Sequence, residues 1–108
     1  MKTQNEVQLI GYLAMDPMIS VAVNGSKRAF LKLATDSYRK LENGSEWKKT
    51  TWHNIVAWDK KAARIENNFI KGSHVLIEGE IQHCSFYKGD EKRYITQIRA
   101  TKIMNLDR

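Results

Sequence analysis

The stretch TTWHNIVAW, residues 50–58, followed by DKKAARIENNFIKG, residues 59–72, decides how the chain folds. Its first nine residues are rich in β-branched and aromatic types and read as a strand. The period then changes. Ala62, Ile65 and Phe69 fall at spacings of three and four, the apolar stripe of a short helix. Asp59 is placed to cap the helix start by accepting a hydrogen bond from an exposed backbone N–H. Gly72 is placed to end the helix in a left-handed conformation. Strand alternation puts Trp52 and Trp58 on one face with Asn54 and Val56, and His53, Ile55 and Ala57 on the other. Ile55 supplies a core residue for the second face. The tryptophans are therefore expected to point outward, where large flat rings need a partner.

Working outward, the flanks are also strand-like. Val7, Leu9 and Leu13 share a parity, with Gly11 between them, and a strand glycine permits a bend or a close backbone approach. Asn24-Gly25 marks a turn. Ala29, Leu31 and Leu33 alternate with Phe30, Lys32 and Ala34, as in a half-buried strand. Asn43-Gly44 is a second turn, and Tyr38 to Lys49 reads as a polar hairpin tip. After the helix, Val75, Ile77 and Ile81 resume strand character around Gly79. Lys88-Gly89-Asp90 is a turn, and Tyr94, Thr96, Ile98 and Ala100 alternate with Ile95, Gln97 and Arg99. The order is three strands, a short helix, two strands. It specifies an all-β fold, the five-stranded Greek-key barrel known as the OB-fold, with one short helix between strands 3 and 4. The strand glycines suit a small, strongly coiled barrel.

At 108 residues the chain is the size of one domain, and residues 1–108 are expected to form a single OB-fold. One proline, Pro17, no linker and no internal repeat agree with that. The longest apolar runs are four residues, such as Ile55 to Trp58, too short for a membrane span or a signal-peptide core. Eighteen Lys and Arg against twelve Asp and Glu give a net charge of +6. That excess favours polyanionic partners, nucleic acid first and an anionic membrane surface second. Cys84 is the only cysteine, which excludes an internal disulfide and a thiolate zinc cluster and fits a reducing cytoplasm.

The aromatics carry the functional reading. Tyr38 precedes Arg39 and Lys40, Trp47 precedes Lys48 and Lys49, Trp58 is closely followed by Lys60 and Lys61, and Phe86 and Tyr87 precede Lys88. Rings interleaved with cations suit a single strand of nucleic acid. Unpaired bases stack on rings, while phosphates attract Lys and Arg and release counterions. Neither interaction demands a particular base. Tyr12, Tyr94 and Phe69 are expected in the core or at an interface, since their neighbours are apolar. No phosphate loop, nucleophile elbow or histidine pair at metal-binding spacing is present, so neither an enzyme nor a metal or other cofactor is expected. His53, His74 and His83 are scattered, and Glu78 and Glu80 lack an acid/base context.

The chain resembles bacterial single-stranded DNA-binding proteins. The resemblance rests on Asn5-Glu6-Val7 through Leu9-Ile10-Gly11 with Leu13, Asp16-Pro17, Leu31 to Thr35, Thr51-Trp52-His53, Lys71-Gly72-Ser73 with Val75, Ile77-Glu78-Gly79, and Arg93-Tyr94 with Thr96. It runs from about residue 5 to residue 106. The resemblance implies an OB-fold and a cytoplasmic, nucleoid-associated homotetramer that wraps single-stranded DNA in replication, recombination and repair. It places stacking aromatics at Tyr38, Trp52, Trp58 and Phe86 and DNA-path cations at Lys40, Lys60 and Lys71, and gives His53 a role in subunit association. Lys48 and Lys49 join the phosphate contacts on the reading of the residues.

Two departures qualify the resemblance. Family members carry basic residues before the last stacking aromatic, whereas this chain has the nearly uncharged Gln82-His83-Cys84-Ser85 before Phe86. Family members also continue into a flexible tail with an acidic tip that recruits other proteins, whereas this sequence stops at Asn105-Leu106-Asp107-Arg108, so that recruitment is not expected of it. These departures motivate an alternative: a primosome-type or regulatory OB-fold interaction protein with weak DNA binding.

Overall fold

The computed structural model describes residues 2–107; Met1 and Arg108, the ends of the expected domain, lie outside the described residues. Its elements are β1 (Val7–Leu13), β2 (Met18–Val21), β3 (Lys27–Lys40), β4 (Glu46–Trp58), α1 (Lys60–Asn68), β5 (His74–Lys88) and β6 (Glu91–Asn105). The strands run in the order β1-β5-β6-β4-β3-β2, and β1 also pairs with β3. That last pairing closes five strands into a barrel of the OB type, as the element order implies. Among the described residues only β4 and β6 run parallel, at Ile55 opposite Ile98 and Val56 opposite Arg99.

The sixth strand, β2, pairs with Lys27 to Phe30 of β3 on the edge that β1 uses further along. It was invisible in the pattern because Met-Ile-Ser-Val has no apolar alternation. With β2 counted, the helix follows the fourth strand of the chain but still the third strand of the barrel.

The core has the expected parity. Leu13, Leu31, Leu33, Ile55, Val75 and Ile77 are sealed inside the barrel. The α1 stripe of Ala62, Ile65 and Phe69 packs into the same cluster and closes one end. Arg64 Nη1 donates to the Ile103 carbonyl at 2.9 Å and ties α1 to β6. The barrel glycines mark close approaches. A β-carbon at Gly11 would collide with the Ala34 carbonyl oxygen, and one at Gly79 with that of Arg99. Beside Gly79 the register slips, leaving Thr101 as an extra residue in β6, a bulge that sharpens the bend.

Two local expectations need correction, and a third is extended. Asp59 makes no side-chain cap; it has φ of 55° and ψ of −116° and enters the helix through its backbone, donating to Lys27 O and accepting from Ala63 N–H. Gly72 does not end the helix, which stops at an extended Phe69. Gly72 instead supplies the positive φ of the Ile70–Ser73 turn that leads into β5. Tyr38 to Lys49 is the expected hairpin, with longer paired strands than a tip. β3 and β4 stay paired out to Lys40 opposite Glu46, and the turn itself is only Leu41 to Ser45.

Candidate nucleic-acid interface

Past the barrel, β3–β4 and β5–β6 continue as two long two-stranded arms, both leaving the end opposite α1. Opposed residues of a pair share a face. The front face of β3–β4 therefore carries Trp58 opposite Arg28, Val56 opposite Phe30, Asn54 opposite Lys32, Trp52 opposite Ala34 and Lys48 opposite Tyr38. Trp52 is 56% exposed, Trp58 38% and Tyr38 69%. The two tryptophans stand on one face, as their spacing requires, roughly 20 Å apart along the strand. Small Ala34 leaves the Trp52 ring uncovered. The Arg28 guanidinium lies 5.6 Å from the Phe30 ring and 6.0 Å from the Trp58 ring. Val56, although on this face, is fully buried between its register neighbours Phe30 and Arg99.

The remaining sequence-selected residues divide. Phe86, 48% exposed, stands on the β5–β6 arm opposite Arg93. Lys40 ends the front face of β3, opposite Glu46. Lys60 is exposed at the first turn of α1, two residues beyond Trp58. Lys71 is exposed beyond the other end of α1, with its backbone N–H bonded to Asp16 at 2.8 Å. Lys49 is not brought to the tryptophan face. It opposes Ser37 on the reverse of the arm.

Sequence reading missed Arg28, Lys32 and Arg93. The first two flank Leu31 in a visible alternation, and a hairpin centred on Asn43 sets them opposite Trp58 and Asn54. Tyr12 and Tyr94 are not core residues; both are largely exposed, and the Tyr12 ring stacks on His74 at 4.5 Å. Phe69 is buried as expected.

Charges on the arms are locally answered on the front. Lys48 Nζ lies 3.9 Å from Asp36 Oδ2, and Thr50 Oγ1 donates to the same carboxylate at 2.7 Å. On the other arm, Arg93 Nη2 lies 3.1 Å from Glu91. Such exposed pairs are weak, typically about 0–1 kcal/mol, so a phosphate can replace the carboxylate. At the barrel mouth a cleft of about 340 Å³ is lined by Val7, Leu9, Trp52, His53, Ile81 and Ile98. His53 Nε2 and Thr35 Oγ1 are 2.8 Å apart, and burial holds the imidazole pKa below its ordinary value. Among the described residues no cluster of His, Cys, Asp and Glu is arranged to hold a metal, and no helix is long and apolar enough to cross a membrane.

With this geometry in hand, comparison with known proteins places it. Residues 4–106 match the Single-strand binding protein family. The chain belongs to that family. Single-stranded DNA-binding protein 1 of Chlorobaculum tepidum is 36% identical over 104 residues, covering 94% of this chain and 64% of that protein. The single-stranded DNA-binding protein of Xylella fastidiosa (strain Temecula1) is 34% identical over 103 residues, covering 94% and 63%. The chain thus spans under two thirds of the length of these two curated relatives. Among solved structures, a Plasmodium falciparum SSB in complex with ssDNA superposes with a TM-score of 0.87 at 27% identity, covering 99% of this chain and 98% of the other. A deletion mutant of the Thermus aquaticus single-stranded DNA binding protein gives 0.83 at 27% identity, covering 96% and 51%.

Proposed function

We propose that this chain acts as one domain that binds single-stranded DNA with little sequence preference and without catalysis, in replication, recombination or repair. Bases stack on Trp52, Trp58, Tyr38 and Phe86. Phosphates meet Lys40, Lys48, Lys60 and Lys71, joined by Arg28 and Lys32, with Lys49 reaching the strand from the reverse of the arm. The observation that carries this reading is the pair of exposed indoles on one strand face, with Arg28 and Lys32 across the ladder. It is supported by family membership and by the likeness to a structure described as an SSB complex with ssDNA.

The working form is a homotetramer in the cytoplasm, on the nucleoid. Support for assembly comes from the outer face of β1–β5–β6, where Ile10, Tyr12 and Met104 are exposed, and from the apolar cleft at the barrel mouth. An uncovered apolar surface of this kind is unusual on a monomer. Titration with oligo-dT is expected to quench tryptophan emission, and affinity is expected to fall steeply with salt. Trp52→Ala combined with Trp58→Ala abolishes most of that binding. Undiminished binding by the double variant would refute stacking on these rings, and absence of binding by the wild-type chain would leave the interaction-protein alternative.

A further inference from the structure

The reverse face of the β3–β4 arm has its own aromatic and its own cations. Arg39 stands opposite Trp47, and Lys49 opposite Ser37. Trp47 is 46% exposed. All the ion pairs of the described residues lie elsewhere, so neither Arg39 nor Lys49 is engaged. The strand carboxylates of the arm, Asp36 and Glu46, both belong to the front parity, and Glu42 lies in the turn. The front face is thus partly neutralised, while the reverse face carries two free cations beside an uncovered indole. Ser37 and Thr51 are its other neighbours and offer hydroxyls without bulk.

We propose that Arg39, Trp47 and Lys49 form a second contact for single-stranded nucleic acid, with a base stacked on Trp47 and phosphates held by Arg39 and Lys49. Charge complementarity and an exposed ring together are the pairing of forces that makes a sequence-tolerant strand site. The arm is a ribbon only two strands wide, with neighbouring strands about 4.8 Å apart. A bound strand therefore passes from the Trp52 face to the Trp47 face around the free edge of the arm. This site rests on the proposed function and extends its footprint.

The chain has three tryptophans, so Trp52→Phe with Trp58→Phe leaves Trp47 as the sole emitter while keeping rings on the front face. Fluorescein-labelled oligo-dT of graded length reports binding by anisotropy, and Trp47 reports the reverse face. Short oligomers are expected to bind with Trp47 emission unchanged, and longer ones to quench it. In the wild-type background, Arg39→Ala with Lys49→Ala is expected to make the log-affinity against log-salt slope shallower by about 1.4 for the long oligomer only, at roughly 0.7 per phosphate contact. Lys102→Ala controls for a general fall in charge. Tight DNA binding at every length with silent Trp47 emission and an unaltered slope overturns the second contact alone. So does a Trp47 response to an acidic peptide or to self-assembly, by light scattering, that DNA does not produce. Failure of the wild-type chain to bind any oligomer refutes the proposed function, and this contact with it.

Discussion

Along β4, Ile55, Val56 and Ala57 are sealed from solvent, whereas Glu46 to Lys49, upstream in the same strand, stand in water on both faces. The first segment belongs to the barrel end closed by α1, the second to an arm. The comparison teaches that the two halves of one strand do different work. Apolar burial at the base selects a single register, because a slip of one residue would turn Ile55 and Ala57 outward. The arm inherits that register. Setting Ile55 opposite Leu31 also sets Trp52 opposite Ala34 and Tyr38 opposite Lys48. The proposed binding surface is thereby positioned by residues it does not contain, which leaves its own side chains free of the demands of packing.

The largest expected effect comes from the base. Ile55→Ala should lower stability by about 2–5 kcal/mol, read by urea unfolding, because it deletes buried methyl groups and leaves a cavity. Oligo-dT affinity of the folded protein should change little. A mid-arm substitution should reverse the balance. Trp52→Ala should weaken binding by about 1–3 kcal/mol, roughly 5- to 150-fold, with stability moving by about 0.5 kcal/mol or less. A stability loss matching that of Ile55→Ala would show that Trp52 belongs to the buried half and would dissolve the distinction.

The smallest effect lies at the boundary, at His53. Its folded-state pKa is lowered by burial, so as pH falls the unfolded chain takes up the proton first. Stability therefore holds above about pH 6.5, the ordinary imidazole value, and declines from there down to the lowered folded value. His53→Gln should flatten that acid decline in pH-dependent urea melts. An unchanged slope would assign the decline to other groups.

What could be read from the residues follows the same division. Strands with one wet and one dry face announced themselves: Leu31 and Leu33 against Lys32, and Trp52 against Ile55. The helix stripe of Ala62, Ile65 and Phe69 was equally plain. The length of the arms was not, because a ribbon polar on both sides has no alternation, so Tyr38 to Lys49 reads only as a hairpin tip. For the same reason Lys49 was grouped with its sequence neighbours rather than placed on the reverse face. Arg28 and Lys32 lie far along the chain from the aromatic clusters; only the ladder sets Arg28 opposite Trp58 and Lys32 opposite Asn54, between the two tryptophans. Asp59 has the right side chain for a cap, but its positive φ turns the backbone itself into the entry to α1.

Within the barrel β4 and β6 are joined through two parallel rungs, at Ile55 and Val56, as short as the β1–β3 closure, while each arm is held by a long antiparallel ladder. The arms rise on either side of that short seam. They therefore act as levers on it, and their leverage grows with distance from the hinge. On the proposed binding mode, a strand that engages both arms would tie them together and brace the seam, so that tension along it would be borne by the ladders.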